Sequence, residues 1–330
     1  CVITATSAED IYEEATATVT LTIFAGAGSG NACDQNVSGS ATVATYEFGA
    51  DCLVVFSAAS SASWITPDSV SAGSLLLIAG GGGGGTYGGG GAGELLENTS
   101  FSFNSSPYTV TVGEGGDGGR QTNSSVNDGS DSAFGTLTAN GGGAGGSIET
   151  SADNDGSPAR DGGSGGGGRN QGINTPQSGG SSVLTAGGVG FAGGDGNKTA
   201  AGARIAGGGG GAGGPGGDAD TSAATAGDGG IGAAVSILSV SEFAQVGLGE
   251  VDDEVVRFAG GGGGGNNGGG TGGAGGLGGG GRYYRDGLAN SGSGGGGSFS
   301  TGYNGKAGGS GVVIVRYTRA AQSALAVTSS

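Results

Sequence analysis

The stretch LLLIAGGGGGG, residues 75–85, decides how the rest of the chain is read. An apolar run of the kind that forms strands passes without a break into six glycines. Such a tract either leaves the fold at Gly80 or builds something that only glycine can build. Composition alone favours the first, since 89 of 330 residues are Gly and 5 are Pro, a balance typical of low-complexity chains. The apolar residues argue for the second, because they make up 34% of the chain and fall in compact clusters. Collagen is excluded: runs such as GGGGGGNNGGGTGGAGGLGGGG (260–281) keep no Gly-X-Y register.

Ordering one backbone residue costs about 1–2 kcal/mol, and glycine loses the most freedom while offering no side chain to bury. A lone tract therefore cannot fold. A lattice of extended threefold helices can, if each residue donates its N–H to one neighbour and accepts from another, with Cα–H···O contacts of about 0.5–1 kcal/mol in support. Gly-dense segments lie near 80–93, 113–119, 141–146, 162–168, 187–196, 207–217, 227–232, 260–281, 294–297 and 308–311. The fold class expected is mostly irregular polyglycine II, a bundle of about ten Gly-rich threefold helices with a minor β portion, each rod about 25–30 Å long. Asn266 and Asn267 are expected to turn the longest run back, and Gly305 to lie in an exposed turn.

Strand-like runs frame the tracts: SLLLIAG (74–80), YTVTVG (108–113), FGTLTANGG (134–142), VVRFAGGGGGG (255–265) and SGVVIVRY (310–317). AAVSILSVSEFAQVGL (233–248) reads equally as one amphipathic helix or two short strands.

Four of these anchors, WITPDSVSAGSLLLIAGGGGGG, YTVTVGEGGDGG, SAFGTLTANGGG and GGSGVVIVRY, occur in an order that resembles the glycine-rich domain of large bacterial cell-surface proteins and phage tail-fibre adhesins. The resemblance covers about residues 50–318. It implies sheaves of polyglycine II helices that carry variable loops, which in the phage members bind host receptors. The ends carry a second resemblance. CVITATSAEDIYEEATATVTLTIF (1–24) resembles the last strands of an Ig-like repeat, and RAAQSALAVTSS (319–330) the opening of the next. The organisation expected is therefore the end of an Ig-like repeat at 1–26, a β hairpin with a disulfide at 27–72, the glycine-rich domain at 73–318, and the start of another Ig-like repeat at 319–330. Any anchor would then lie outside this segment.

Three cysteines leave an odd one. Cys33 and Cys52 flank a hairpin-like stretch and are paired here, which would close a loop worth about 3 kcal/mol. Cys1 is left for a cysteine elsewhere in the array, or for a lipid. With 28 acidic and 11 basic residues, net charge −17, neither nucleic acid nor an anionic membrane surface is a suitable partner. No stretch approaches the ~20 apolar residues of a membrane-spanning helix.

No histidine is present, which removes the commonest general base, and no enzymatic activity is expected. GEGGDG (113–118) fits GxGxxG, but about six chance matches are expected at this glycine content, and no convincing helix follows it. Asp252, Asp253 and Glu254 read as a solvated loop. Asp153, Asp155 and Asp161 around Gly156 offer oxygen ligands for calcium, without EF-hand spacing; an Asx-rich turn is the alternative. A recognition surface would be marked by exposed aromatics. RYYRDG (282–287) offers Arg282, Tyr283, Tyr284 and Arg285, with Phe299 and Tyr303 close in sequence. Such residues suit stacking on sugar rings and pairing with carboxylated glycans, or alternatively capping of the rod ends.

The function expected is an extracellular, non-enzymatic structural or adhesive module of a giant bacterial surface protein, in contact with neighbouring Ig-like domains and with a glycan or protein receptor. A phage tail-fibre adhesin is the alternative. An ice-binding protein is a third class, without the regular apolar or Thr array that it needs.

Overall fold

The computed structural model describes residue 33 and residues 37–68, 70–119, 126–147, 157–169, 177–200, 202–298 and 304–319. The segments expected to belong to Ig-like repeats, 1–26 and, apart from Arg319, 319–330, lie outside them, as do Cys1, Asp153, Asp155, Phe299 and Tyr303.

In chain order the strands are β1 (Val37–Gly39), β2 (Thr42–Phe48), β3 (Asp51–Ser57), β4 (Ser60–Trp64), β5 (Ala72–Ile78), β6 (Leu95–Ser102), β7 (Tyr108–Val112), β8 (Ser132–Phe134) and β9 (Leu137–Ala139). They are followed by β10 (Asn197–Lys198), β11 (Arg204–Ile205), β12 (Ala233–Val235), the helix α1 (Val240–Val246), β13 (Glu250–Asp252), β14 (Val255–Phe258), β15 (Asn266–Asn267) and β16 (Val312–Thr318).

The three most apolar runs form β3, β5 and β16, the centre of a five-stranded antiparallel sheet ordered β2-β3-β16-β5-β6. Val315 sits opposite Val54 on one side and Leu75 on the other. Side chains alternate across this sheet. Val54, Phe56, Leu75, Leu77, Val313 and Val315 enter one core, while Leu53, Val55, Leu76, Ile78, Val312 and Ile314 enter a second. Both faces are covered, which is why these runs are continuously apolar rather than alternating.

The first face packs on a sheet ordered β1-β4-β7-β8-β9. Its fully buried Trp64 lies 5.4–6.2 Å, ring centre to ring centre, from Phe103, Tyr108, Phe134 and Tyr317. The second face packs on β12-β14-β13 and α1 through Val235, Ile237, Leu238, Val246, Val256 and Phe258. The ambiguous stretch 233–248 is thus a short strand followed by a helix. Ser239 and Glu242 form a capping box at its start, and Gly247, at φ +68°, ends it in the left-handed conformation. β10, β11 and β15 form a small fourth sheet.

This architecture corrects the expectation of a polyglycine II helical bundle with a minor β portion. Among the described residues the regular structure is sixteen strands in four antiparallel sheets and one helix of seven residues. The central runs β3, β5 and β16 are buried on both faces, and runs such as β7 and β14 bury alternate residues against them, so the apolar runs specify complete sheets. The tracts form no helix: apart from short reversals such as Gly85 to Gly88 and Gly280 to Gly276, their amides bond across to other extended segments.

Many of the tract residues are nevertheless buried, and several tracts extend directly from strand ends. Ala79 follows β5, Gly113 follows β7, Asn140 follows β9, Ala259 follows β14, and Gly311 precedes β16. Within residues 80–85, Gly80 and Gly83 donate to Ser130 and Asn127, Gly81 and Gly84 to Gly309 and Lys306, and Gly82 and Gly85 to Gly91 and Gly88. Residues three apart therefore address the same neighbour. The run 80–93 is two arms, reversed at Thr86 and the buried Tyr87. The run 260–281 reverses after β15, where Gly268 and Gly269 take φ +123° and +89° and Gly273 donates to Gly264. Gly305 is not in an exposed turn: it is buried and donates to Gly119.

Aspartates finish the tracts. Asp128 accepts from the amide of Ala144, Asp131 from Gly141, Asp195 from Gly179 and Asp228 from Ala274, each at 2.7–3.0 Å. A carboxylate at these rims takes the place of a neighbouring carbonyl, and charge-assisted bonds of this kind are the stronger ones. Part of the chain's acidity thus has a structural origin.

Candidate functional site

The 282–286 loop stands at one rim of the glycine region. Its backbone is tied down throughout: Tyr283 donates to Gly273, Tyr284 to Gly297 and Arg285 to Arg282, while Gly296 donates to Arg285. An open groove of about 570 Å³ lies beside it, lined by residues 272–277, Gly280, Gly281, Arg282, Tyr283, Arg285, Asp286 and Glu250. Three of the six residues expected from the sequence, Arg282, Tyr283 and Arg285, are therefore brought together on one surface.

Tyr283 is half-buried, with its ring against Gly272, where a Cβ would collide with it. Burial, with the neighbouring Tyr284, raises its phenol above the usual tyrosine value. Tyr284 takes φ +60° and lies beside the groove, its ring 6.5 Å from that of Tyr283 and 4.2 Å from Lys306 Nζ, a cation–π distance. Arg282 and Arg285 are exposed and make no ion pair among the described residues.

Sequence reasoning missed Glu250, Leu277 and Lys306. Asp286 was visible within RYYRDG itself, but nothing in the sequence connects Glu250 to that loop. Glu250 Oε2 accepts from the amides of Gly278 and Gly279 at 2.8 and 3.0 Å, which fixes the turn behind the groove. Asp286 Oδ1 accepts from Ala307 at 2.9 Å.

Asp161, from the expected calcium set, is exposed, and its Oδ1 accepts from the amide of Ser181. Among the described residues there is no cluster of three acidic, His or Cys side chains able to hold a metal. The carboxylates of Asp51 and Glu242 are held below their usual values, but they pair with Arg316 in the central sheet, away from the groove. Cys33 and Cys52 form the expected disulfide, with Cα atoms 5.5 Å apart.

These features define a disulfide-bonded β protein built around a buried glycine core, with a groove at its rim. The model of the glycine-rich domain family matches residues 56–318, and the chain belongs to that family. The match opens in β3 and closes at the end of β16, two strands paired side by side. No curated protein matches the chain in sequence. Among the described residues no helix is long and apolar enough to cross a membrane. The disulfide is compatible with an extracellular protein.

Proposed function

We propose that the chain is a non-enzymatic, extracellular structural and adhesive module of a bacterial cell-surface protein, in which the glycine core holds outward loops in fixed positions. The observation that carries this reading is the bonding of residues 80–85. Six consecutive buried glycines each bond to a separate residue of three neighbouring segments, so the core is rigid and presents its side chains at the rims. Rigid scaffolds with side chains on tied-down loops suit recognition, because little order remains to be imposed on binding. The disulfide favours an oxidising compartment. Antibody against this segment, applied to intact cells that express the full gene product, tests the proposal. Surface labelling is expected. Signal only after the cells are opened would overturn it, and labelling of virion tails would transfer the module to the tail-fibre alternative.

A further inference from the structure

We propose that the groove between residues 272–276 and the 282–286 loop is a saccharide site whose preferred ligand is a neutral hexose unit. The proposal rests on the adhesive reading above and gives it a ligand class. The groove lies within the ~300–1,000 Å³ of small-ligand sites. Its floor is glycine backbone with the single methyl group of Ala274, so no long side chain there keeps a flat ring at a distance. Tyr283, fixed against Gly272, and the exposed Leu277 supply an apolar wall for the C–H face of a sugar.

The polar groups decide between ligand classes. Arg282 and Arg285 are donors without a partner among the described residues. Glu250 and Asp286 each use one carboxylate oxygen on backbone amides, and the other oxygen makes no hydrogen bond among the described residues. The groove thus offers two positive forks and two acceptor oxygens, with charges in balance. Sugar hydroxyls both donate and accept, and so engage both kinds of group. A carboxylated glycan, one of the ligands that the Tyr/Arg composition of the loop suits, meets Glu250 and Asp286 as well as the arginines and gains no net attraction. The loop and the 278–279 turn are already held by backbone bonds, so little ordering is needed.

The test is ligand-observed NMR on the 330-residue chain with lactose, maltose and chitobiose, and with sialyllactose as the acidic counterpart. At least one neutral disaccharide is expected to bind. Tyr283→Ala and, separately, Arg285→Gln should each weaken it at least about tenfold without a change in melting temperature for the exposed Arg285→Gln. Exclusive or tenfold tighter binding of sialyllactose would overturn the neutral assignment. Absence of binding by all four up to about 10 mM, or binding that both variants leave intact, would overturn the site. Surface labelling is independent of these outcomes, so the adhesive reading and the ligand assignment fail separately.

Discussion

A methyl group placed on Gly83 would fall on the main-chain carbonyl oxygen of Asp117. That oxygen accepts from the amide of Asn127 at 3.1 Å, and the carbonyl of Asn127 in turn accepts from Gly83 at 3.0 Å. The obstacle is backbone, fixed at both ends, and cannot step aside. Gly83→Ala is therefore expected to cost at or beyond the upper end of the ~1–3 kcal/mol of overpacking. A flexible linker predicts the opposite sign, a gain of about 0.4–1 kcal/mol from a stiffer unfolded chain. Gly214→Ala is the control, because the nearest atom there is the side-chain Cγ2 of Ile231 at 3.1 Å. Thermal unfolding should separate the two variants, and equal midpoints would sink the packing argument. Gly305 is no control, since a Cβ there meets the carbonyl of Gly84.

Arg316 ties three elements together. Its guanidinium donates to Asp51 of β3 at 2.9 and 3.0 Å and to Glu242 of α1 at 3.1 Å, and bonds the Ile237 carbonyl at 3.0 Å. Asp51 is lowered from its ordinary 3.8 mainly by the Thr318 hydroxyl, with Arg316 also lowering it against burial. For Glu242 burial pushes upward from 4.5, but the bonds from Arg316 and Ser239 outweigh it. With folded values below unfolded ones, the stability is fully present above about pH 4.5 and is lost as pH falls through the folded values. Arg316→Met should cost about 1.5–3 kcal/mol at pH 7 and flatten the acid-induced loss below pH 4.5. Urea midpoints across pH 3–7 check this; a wild-type pH profile in the variant would refute it.

Reduction of Cys33–Cys52 opens a loop with a sequence separation of 19. Cys52 is fully buried in the central strand β3, so the bridge pins the chain before β1 to the core. Double substitution to Ala is expected to lower stability by about 3 kcal/mol. Calorimetry with and without reductant should show the same shift in the native chain and none in the double variant.

Much of the strand framework was legible, because runs such as 74–80 and 310–317 are apolar without alternation and border on glycine at one end. The extent of β structure was not. The sheet β1-β4-β7-β8-β9 includes strands rich in Ser and Thr, such as SSASW, whose pairing is set by Trp64 and Tyr108 in three dimensions. FGTLTANGG was read as one strand, whereas it contributes to the hairpin β8–β9, turned at Gly135 with φ +60°. The glycine tracts hold no side chains, so nothing in their sequence states which segment accepts which amide. Of the groove, RYYRDG was visible through its composition. Glu250 reaches it only through the β13–β14 hairpin.

That hairpin carries a local conflict. Asp253 and Glu254 connect β13 to β14 with φ +47° and +61°, the sign pattern of a type I′ turn, which favours Asn-Gly or Asp-Gly. Left-handed backbone costs a residue with a Cβ roughly 1–2 kcal/mol, and Asp tolerates it better than Glu because a short polar side chain can bond locally. Across the turn, Asp252 pairs with Arg257 at 3.2 Å, so the strand ends are already held. Glu254→Gly creates the favoured Asp-Gly dipeptide and is expected to stabilise the chain by about 0.5–1 kcal/mol, after the greater unfolded-state freedom of glycine is subtracted. Asp253→Gly should gain less, since Asp is the better tolerated residue. Paired urea unfolding of the two variants against the parent decides the matter: a loss of stability in Glu254→Gly would show that the turn is not strained at that position.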